Sequence, residues 1–540
     1  MEKDSQSFVM QIVMTDGEHR ISFLPGLSIH EILASTPLRL RSACGGIGIC
    51  GQCLVGVEAG CVNDPTPNEL HKLASDQLAQ GMRLACQVRP CQNVRIRIER
   101  SVPQASWRSL LEDEYTPFDL STQSISTSTQ KHPSYGVAVD LGTTQIRLSL
   151  WDMKKKQRLA GRVGLNPQSC FGTDVLTRLV NASESPDRMR EIGGLARDAI
   201  GGALRDMLSE GGWNSQAIGH IMIVGNSAML ALLAERNAHL LLHPEYWMRE
   251  INCQPDDTDS WRRSWECHES AVIEIVQPLA GFVGSDLLAG VLATQLTQGA
   301  AGSLLIDFGT NSEIALWDGM QLWVTSAAGG PAFEGWGISC GMPAEPGAIY
   351  RADHRGDSSN LQIEVIGGGQ ACGVCGSGLV DIIGSLCQSG ELKRNGLFTG
   401  NLGHEGFCIL KGSRDIVLYK QDVDMFQRAK AAIGAGITCL LKQADLYPRE
   451  IRRVCVCGAF GRFLNVSNAQ AIGLLPGIAP EHVELCGNTA LAGAEMLLCS
   501  DNTSILKSLR RKARIINMSS DPIYENLFIE HLYLQPISMD

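Results

Sequence analysis

Apolar and polar residues alternate along two short stretches near the start of the chain. SFVMQIVM at 7–14 and HRISFLP at 19–25 place apolar side chains at every second position, which is the period of a half-buried strand. The residues TDGE at 15–18 lie between them and favour a tight turn. These stretches predict an antiparallel pair of strands.

The following residues continue as short helices and strands. Ser28 can cap the helical stretch SIHEILAST, because its hydroxyl can accept a hydrogen bond from the first turn. A further strand is predicted over CLVGVEAG (53–60), a helix over about 67–80 and a closing strand over VRIRIER (94–100). Residues 1–100 are therefore predicted to form one compact α+β domain.

The regular pattern ends at residue 101. Residues 101–133 are rich in Ser, Thr and Gln in their second half, a composition typical of a flexible or loosely docked linker. Such a linker either lets the first domain move between partners or acts as a plain spacer.

A second pattern occurs twice beyond the linker. VAVDLGTTQIRLSLWD (137–152) and LLIDFGTNSEIALWDG (304–319) both read as an apolar strand, an Asp, a Gly-Thr turn and a second strand that ends in Leu-Trp-Asp. The repeat predicts two related α/β lobes, with boundaries at 134–300 and 301–540. Residues 134–205 could also form a separate middle domain.

Composition narrows the class of protein. The 540 residues exceed what one hydrophobic core serves, and 57 of them are Gly, which indicates many tight turns. A net charge of −11 disfavours a role built on nucleic-acid phosphates. The chain has no secretory pattern and no run of about twenty apolar residues. We therefore expect a cytoplasmic protein without a membrane segment, whose 19 Cys residues are reduced thiols or cluster ligands.

Three cysteines lie close together on a glycine-rich loop. The stretch CGGIGICGQC provides Cys44, Cys50 and Cys53, and glycine lets the backbone curl so that several thiolates can face one site. Cys86 is the candidate fourth ligand, because it follows a predicted helix and opens the alternating run that ends in VRIRI. The resulting C-x5-C-x2-C-x32-C spacing resembles a [2Fe–2S] ferredoxin of the adrenodoxin kind, which implies a β-grasp fold.

Other ligand sets are compatible with this loop. A tetrahedral zinc site would use the same three thiolates with Cys61 or Cys86. Glycine at four of the seven intervening positions favours the iron–sulfur cluster, since zinc loops rarely need it. Cys61 or Cys91 could also replace Cys86 as the fourth cluster ligand.

Each of the two repeated hairpins carries groups suited to nucleotide phosphates. Glycine permits a tight turn, hydroxyl or amide side chains lie beside exposed backbone N–H donors, and aspartate can hold Mg²⁺ through water. The pair resembles the phosphate-binding hairpins of the ASKHA class (acetate and sugar kinases, Hsp70 and actin), in which two lobes clamp ATP. The candidate residues are Asp140, Gly142, Thr143, Thr144, Asp307, Gly309, Thr310 and Asn311.

Further glycine loops follow in an order that fits such an ATPase. The second lobe contains GPAFEG, CGSGLVD and GAFGRFLN, and in the last of these Gly458 and Gly461 are predicted to face the adenosine. With the ferredoxin-type domain and the linker, these motifs resemble the reductive activators of corrinoid proteins along nearly the whole chain. One departure is AAGGPAFEGW, which has a second glycine before the proline and Trp336 where a small residue is expected.

This resemblance implies an ATP-hydrolysing reductase. One electron would pass from the [2Fe–2S] cluster to the Co(II) of a methyltransferase corrinoid protein, which returns to Co(I). The resemblance also implies ATP, Mg²⁺ and an external electron-donor protein, and the oligomeric state stays open, a homodimer included. The alternatives are an ATP-dependent electron donor to another low-potential enzyme, such as a dehydratase, and a small-molecule kinase with a redox-sensing domain.

The residues that act in hydrolysis are less closely defined by the sequence. Asp140 or Asp307 could orient the attacking water through Mg²⁺. Glu334, in PAFEG, is a candidate general base or an acceptor of a loop hydrogen bond.

A second set of cysteines lies in the predicted second lobe. Cys372 and Cys375 could ligate another cluster, and Cys455 and Cys457 share one side of a predicted strand and could join them. All four could equally be core thiols, since cysteine is among the most buried residue types.

Overall fold

The structure is a computed structural model of the chain. Its contacts divide the chain into two compact units, one formed by residues 1–107, 143–145 and 164–202 and the other by the remaining residues. The residues that the structure describes are 7–14, 17–34, 36, 38, 40, 48, 53–73, 75–98, 107–110, 134–172, 174–335, 337–354, 361–400, 406–412, 415–500 and 503–538.

The N-terminal residues form a five-stranded sheet with short helices. The strands lie in the order β2-β1-β5-β3-β4, with β1 and β5 parallel and the other neighbours antiparallel. Met10, Ile12, Val55, Leu84 and Ile96 pack in its core. The elements are β1 (Phe8–Met14), β2 (Gly17–Phe23), α1 (Ile29–Ala34), β3 (Leu54–Val62), α2 (Pro67–Lys72), α3 (Ser75–Ala79), β4 (Met82–Leu84) and β5 (Pro90–Arg97).

The predicted strands and the cap at Ser28 are confirmed, with two differences in detail. Ser28 Oγ accepts a hydrogen bond from Glu31 N (3.2 Å), and the Glu31 carboxylate accepts one from Ser28 N (2.7 Å). The single helix predicted over 67–80 is two helices, because Leu73 at the end of α2 has an extended backbone. Cys86 does not open a strand: it lies in a turn before Pro90, where β5 begins.

The first repeated hairpin belongs to a six-stranded sheet with the order β11-β10-β7-β8-β9-β6. Strands β7, β10 and β11 are parallel, whereas β8 runs antiparallel to β7. The elements are β6 (Arg108–Ser109), β7 (Tyr135–Leu141), β8 (Gln145–Asp152), β9 (Gln157–Leu165), α4 (Val175–Ser183), α5 (Pro186–Gly211), β10 (Ile218–Gly225), α6 (Ser227–Leu233), α7 (Asp259–Ser264), β11 (Val272–Ile275) and α8 (Ser285–Ala293).

The second hairpin belongs to a second six-stranded sheet with two small sheets beside it. The order of the large sheet is β21-β20-β12-β13-β14-β22, and the small ones are β16-β15-β17 and β18-β19. The strands are β12 (Ser303–Asp307), β13 (Ser312–Trp317), β14 (Leu322–Ala327), β15 (Ala348–His354), β16 (Leu361–Val365), β17 (Gly373–Val374), β18 (Phe407–Leu410), β19 (Ile416–Leu418), β20 (Arg453–Cys457), β21 (Val483–Gly487) and β22 (Ala513–Ile515). The helices are α9 (Gly376–Ser389), α10 (Lys420–Gln443), α11 (Val466–Ala471), α12 (Thr489–Cys499), α13 (Thr503–Lys512) and α14 (Tyr524–His531).

The two large sheets repeat one topology. Each contains an antiparallel meander of three strands, β7-β8-β9 or β12-β13-β14, whose first strand pairs in parallel with the later strand β10 or β20. The duplicated sequence pattern thus corresponds to a duplicated sheet. The predicted two-lobed architecture is confirmed.

Two helices join the lobes through apolar packing. Leu287, Leu288 and Val291 of α8 pack with the core of the second sheet. Helix α12 follows β21 of the second sheet, yet its Ala490 and Ala494 pack with Ala138 and Val224 of the first. Among the residues that the structure describes, no helix combines the length and apolarity needed to cross a membrane.

Candidate functional site

Two of the predicted cluster cysteines lie side by side in the N-terminal domain. The Sγ atoms of Cys53 and Cys86 are 3.4 Å apart, and both residues are buried. Ala85 N donates to Cys53 O (2.8 Å), which holds the turn after β4 against the start of β3. Two thiolates that bind one tetrahedral ion at about 2.3 Å lie about 3.8 Å apart, so this pair can share one metal ion. Cys44 and Cys50 lie outside the described residues.

One glycine of the loop is needed for the close approach of the backbone. Gly48 has φ +90°, and a Cβ there would lie 2.6 Å from Cδ of Gln87. The Nε2 of Gln87 lies 3.6 Å from Cys86 Sγ. A side chain at position 48 would therefore displace a neighbour of the thiol pair.

The two remaining cysteines of this domain form a separate pair. The Sγ atoms of Cys61 and Cys91 are 2.7 Å apart, and both residues are exposed. The geometry therefore places Cys86, and neither Cys61 nor Cys91, beside Cys53. Of the three candidates for the fourth cluster ligand, Cys86 is thus the one whose thiol lies beside that of Cys53.

The Asp that the two repeats share lies near the end of the first strand of each hairpin. Asp140 is buried on β7. Its Oδ2 accepts a hydrogen bond from Asn488 Nδ2 (2.7 Å) and lies 3.9 Å from Nη1 of Arg147. Asp307 is the last residue of β12 and is half-buried. The charges of Asp140 and Arg147 both act on Asp307, so the two hairpins meet at one site.

Two further carboxylates lie in this site. Asp286, in the first turn of α8, is influenced by the charges of Asp307 and Asp140, and buried Glu313 by those of Asp286 and Asp307. Glu313 lies directly opposite Asp307 in the ladder of β12 and β13. We call Asp140, Asp286, Asp307 and Glu313 the acidic cluster.

Crowding shifts the acidity of this cluster. Burial first, and then the neighbouring carboxylates, raise the pKa of Asp286 and of Asp307 to about 7. Burial and the charges of Asp286 and Asp307 raise the pKa of Glu313 well above its ordinary value. Burial also raises the pKa of Asp140, although Arg147 and Asn488 oppose that shift. Such a cluster is stabilised by protons or by a bound cation.

Asp286, Glu313 and Asn488 were missed by sequence reasoning. Asp286 stands in GFVGSDLLAG, where an acidic residue follows a glycine at a helix start. Aligning the repeats from their Trp residues would have set Glu313 against Arg147 and shown a change of charge. Asn488 carries a capping signal, since its Oδ1 accepts a hydrogen bond from Leu491 N (2.8 Å) at the start of α12.

The remaining hairpin residues form the turns of the site. Gly142, Thr143 and Thr144 connect β7 to β8, and Gly309, Thr310 and Asn311 connect β12 to β13. Thr144 O accepts a hydrogen bond from Asn166 N (2.8 Å). The Thr310 hydroxyl donates to Glu334 Oε2 (2.8 Å), so Glu334 accepts a hydrogen bond within the loop region of the second lobe. Trp336 lies outside the described residues.

Aromatic rings connect three of the sequence motifs. Phe308 follows Asp307, Phe333 stands in PAFEG and Phe460 stands in GAFGRF. The ring centroids are 5.5 Å apart for Phe308 and Phe333, 4.8 Å for Phe308 and Phe460, and 5.1 Å for Phe333 and Phe460. Each of these motifs therefore supplies one ring to a shared apolar base, which fixes the loops relative to one another.

Gly458 allows its loop to approach the second hairpin. It has φ +88°, and a Cβ there would lie 2.4 Å from Phe308 O and 3.0 Å from Oδ1 of Asp307. Gly458 N also donates to Gly487 O (2.8 Å). Gly461, in the 3-10 turn that follows, lies against Val456. The loop predicted to face adenosine therefore begins beside the acidic cluster.

The cysteines of the second lobe divide between core and surface. Cys375 is buried next to Ser377 (Sγ to Oγ 3.3 Å), whereas Cys372 is exposed. Cys455 and Cys457 are buried in the core between α8 and the second sheet. Of the described residues, Cys455, Glu484 and Cys486 are the group in which at least three metal-ligand atoms come together, and it contains neither Cys372 nor Cys375.

The site offers carboxylate ligands for a cation and, beside them, hydrogen-bond donors for phosphates. Four carboxylates would repel an anionic nucleotide unless a divalent cation came with it. The backbone N–H groups and hydroxyls of the hairpin turns are suited to phosphate oxygens. The arrangement is therefore chemically suited to a complex of a nucleoside triphosphate with a divalent cation.

Comparisons with known proteins agree with this geometry. Residues 301–540 match the family model described as the C-terminal domain of RACo, the ASKHA domain. Residues 135–299 match the RACo middle region, and residues 13–91 match the 2Fe-2S iron-sulfur cluster binding domain. The chain is 30% identical over 430 residues to the corrinoid activation enzyme RamQ of Eubacterium limosum, which covers 75% of this chain and 71% of RamQ. The chain belongs to the corrinoid activation enzymes.

Two further proteins are similar to this corrinoid activation enzyme. A [Co(II) methylated amine-specific corrinoid protein] reductase of Methanosarcina barkeri is 26% identical over 391 residues, which cover 67% of this chain and 70% of that protein. The solved structure of a reductive activator for corrinoid, iron-sulfur protein covers 98% of both chains with a TM-score of 0.66 and 24% identity, and it shows the fold. The resemblance inferred from the sequence motifs is confirmed.

Proposed function

We propose that this protein uses ATP to drive the one-electron reduction of a corrinoid protein of a methyltransferase system from Co(II) to Co(I). The observation that carries the proposal is the presence, in one chain, of the paired thiols Cys53 and Cys86 and of the acidic cluster built from two ASKHA hairpins. The relatives named for corrinoid activation and Co(II) corrinoid reduction support it.

The iron–sulfur ligands in this proposal are Cys44, Cys50, Cys53 and Cys86. When bound, the [2Fe–2S] cluster supplies a single electron at low potential. The short distance between Cys53 and Cys86 fits two ligands of one iron, and their burial shields that side from water. An external electron-donor protein would refill the cluster.

The nucleotide ligands are the residues of the two hairpin turns. The backbone and side chains of Gly142, Thr143 and Thr144 and of Gly309, Thr310 and Asn311 would hold the phosphates, and Gly458 with Gly461 would hold the adenosine side. Asp140 and Asp307 would position Mg²⁺ through water. Glu334 is the candidate base for the attacking water. The hydrogen bond from Thr310 would orient the Glu334 carboxylate for that role.

ATP is needed because the cobalt couple lies at very low potential. A mismatch of 100 mV for one electron costs about 2.3 kcal/mol, so an unfavourable step of a few hundred millivolts is within the range of one ATP. Helices α8 and α12 pack between the two sheets, so nucleotide binding at the acidic cluster can bias the lobe arrangement that binds the Co(II) partner. Hydrolysis would then release that arrangement.

The decisive experiment follows the Co(I) absorption band under anaerobic conditions. The chemically reduced full-length protein is mixed with a Co(II) corrinoid protein, with and without Mg-ATP. We expect Co(I) to form only with Mg-ATP. If several corrinoid partners give no Co(I) while ATP is hydrolysed and the cluster is intact, the acceptor is another low-potential enzyme; a phosphorylated small product would indicate a kinase.

A pair of variants tests the ligand assignment. Cys86→Ser is expected to lose the cluster absorbance and Co(II) reduction, because it removes the thiol beside Cys53. Cys91→Ser is the matched control, since Cys91 is exposed and pairs with Cys61. Equal cluster content in both variants would contradict Cys86 as a ligand.

A further inference from the structure

A group of sulfur and oxygen atoms lies at the edge of the second large sheet, outside the residues proposed for the cluster and for the nucleotide. Cys455 is buried on β20, and Glu484 and Cys486 lie on the neighbouring strand β21, which is the edge strand. One ligand atom from each residue lies within 4.8 Å of the other two. The Sγ of Cys455 is 4.0 Å from Oε2 of Glu484.

The strand pairing brings these three side chains together. Cys455 pairs directly with Glu484 in the parallel ladder, so their side chains share one face of the sheet. The register shifts between Val456 and Cys457, which leaves Cys486 as the extra residue of a bulge on β21. A bulge re-aims a side chain, and here Cys486 comes within hydrogen-bonding reach of Cys455.

The donor set selects a thiophilic divalent cation. Two thiolates and one carboxylate are ligands that Zn²⁺ accepts in tetrahedral sites, with Zn–S distances of about 2.3 Å and a fourth position open to water. Ligand sulfurs at such a site lie about 3.8 Å apart, so atoms within 4.8 Å of each other need only small side-chain rotations to converge. The edge position of β21 gives an ion a path from solvent.

Arg453 completes the environment of the carboxylate. It donates two hydrogen bonds to Glu484, at 2.7 Å and 2.6 Å. A carboxylate has about four lone-pair sites, so Glu484 can keep Arg453 and still ligate a metal. The negative charges of two thiolates and one carboxylate are then balanced by the +2 of the ion and the +1 of Arg453, which suits a half-buried site.

We propose that Cys455, Glu484 and Cys486 form a binding site for a thiophilic divalent cation, with Zn²⁺ as the preferred ion. Metal binding there joins β20 to the edge strand β21. In both strands the metal ligands lie shortly before a glycine, Gly458 after β20 and Gly487 in β21. The backbone hydrogen bond between these two glycines connects the strands beside the acidic cluster. The ion therefore has a structural role next to the nucleotide site.

The test measures zinc bound to the full-length protein with its iron–sulfur cluster in place. The protein is equilibrated anaerobically with chelator-buffered zinc at nanomolar free concentration, in the presence of millimolar Mg²⁺ to occupy the acidic cluster, and zinc and iron per chain are determined by mass spectrometry. We expect about one zinc per chain in the wild type. X-ray absorption at the zinc edge should show a shell of two sulfurs with lighter ligands.

Three variants separate this site from adventitious binding. Cys486→Ser should bind zinc about 100-fold more weakly with iron content unchanged, because a lost ligand costs at least as much as a lost outer partner. Glu484→Gln, which keeps both thiols, should weaken binding by about 10-fold. Cys372→Ser is the matched control, an exposed cysteine outside the group, and should bind like the wild type.

The expected pattern also extends to stability. Zinc should raise the melting temperature of the wild type and of Cys372→Ser, and leave that of Cys486→Ser unchanged. The proposal is overturned if the wild type holds no zinc under these conditions, if Cys486→Ser binds as tightly as the wild type, or if the zinc shell contains no sulfur. None of these outcomes depends on corrinoid reduction.

Discussion

The two hairpins of the ATPase region share a backbone and differ in charge. In the first, Asp140 lies directly opposite Arg147 in the β7–β8 ladder, and in the second Asp307 lies directly opposite Glu313 in the β12–β13 ladder. The first pair is an acid with a cation, and the second is an acid with an acid. The two hairpins share this pairing geometry, whereas the residue opposite the Asp, Arg147 in one and Glu313 in the other, gives them opposite electrostatics.

This difference assigns separate roles to the two hairpins. Within the protein, Arg147 and the amide of Asn488 offset part of the cost of burying Asp140. In the second hairpin, the charges of Asp307 and Asp286 raise the pKa of Glu313, and those of Asp140 and Glu334 raise the pKa of Asp307. Like charges placed opposite each other destabilise a sheet, so the second hairpin gains most from a bound cation. If Mg²⁺ binds here as proposed, we expect it nearer to Asp307 than to Asp140.

The largest expected effect comes from removing the uncompensated acid. Asp307→Asn should lower the rate of ATP hydrolysis by about 100-fold, or about 2.7 kcal/mol, because the divalent cation loses its nearest carboxylate. Asp140→Asn should lower it less. The measurement is phosphate release at saturating Mg-ATP for both variants, and a larger loss for Asp140→Asn would break the comparison.

The next effect tests the compensating cation of the first hairpin. Arg147→Gln should lower the hydrolysis rate by about 10-fold, because Asp140 then adds its full charge to the site. Arg147→Lys, which keeps the charge, should recover most of the activity. If both variants lose the same activity, the guanidinium acts through its shape, and the charge argument is wrong.

Asn488 provides the second compensation and also caps α12. Asn488→Ala should destabilise the protein by about 1 kcal/mol in urea unfolding and raise the pKa of Asp140, since both hydrogen bonds are lost. Asn488→Ser should restore the stability, because serine caps helices well, but it cannot donate to Asp140 from the same position. If Asn488→Ser also restored the pKa of Asp140, the hydrogen bond from the Asn488 amide to that carboxylate would play no part in the shift.

The smallest effect concerns pH. The folded protein raises the pKa of Glu313 and brings those of Asp286 and Asp307 to about 7, so it holds protons that the unfolded chain has released. Metal-free protein should therefore lose stability as pH rises from about 5 to about 8. Glu313→Gln should flatten this slope and add about 0.5–1 kcal/mol at pH 8. Urea unfolding in EDTA at several pH values measures the free energy of unfolding of the wild type and of Glu313→Gln. A free energy of unfolding that increases with pH in the wild type would contradict the assignment.

Much of the fold could be predicted from the sequence, because the patterns that indicate it are local and repeated. Alternation over 7–14 and 19–25 predicted β1 and β2, and the repeated Asp-x-Gly-Thr hairpins predicted two related sheets, which the structure contains. The helix predicted over 67–80 was wrong in its continuity, because a single extended residue, Leu73, divides it. Single residues of this kind have no periodic signal.

The candidate site was predictable only in part, for a physical reason. Asp140 and Asp307 belong to a motif, whereas Asp286 reaches the site from a helix and Asn488 from a cap that lies far along the chain. Contacts between residues so far apart in the chain depend on tertiary packing, which leaves no local sequence pattern. The roles of the cluster cysteines and nucleotide residues, the domain boundaries, the Mg²⁺ and electron-donor assignments and the cytoplasmic location stay predictions.

The path of helix α12 has a consequence for how the lobes can be handled and can move. The chain leaves the second sheet after β21, places α12 on the first sheet, and returns so that β22 pairs with β14 of the second. A cut near residue 300 would therefore not yield two independent halves, because the first would lack the helix that covers it. Any movement of one lobe against the other must bend several chain crossings at once, which favours a hinge of small amplitude over separation of the lobes.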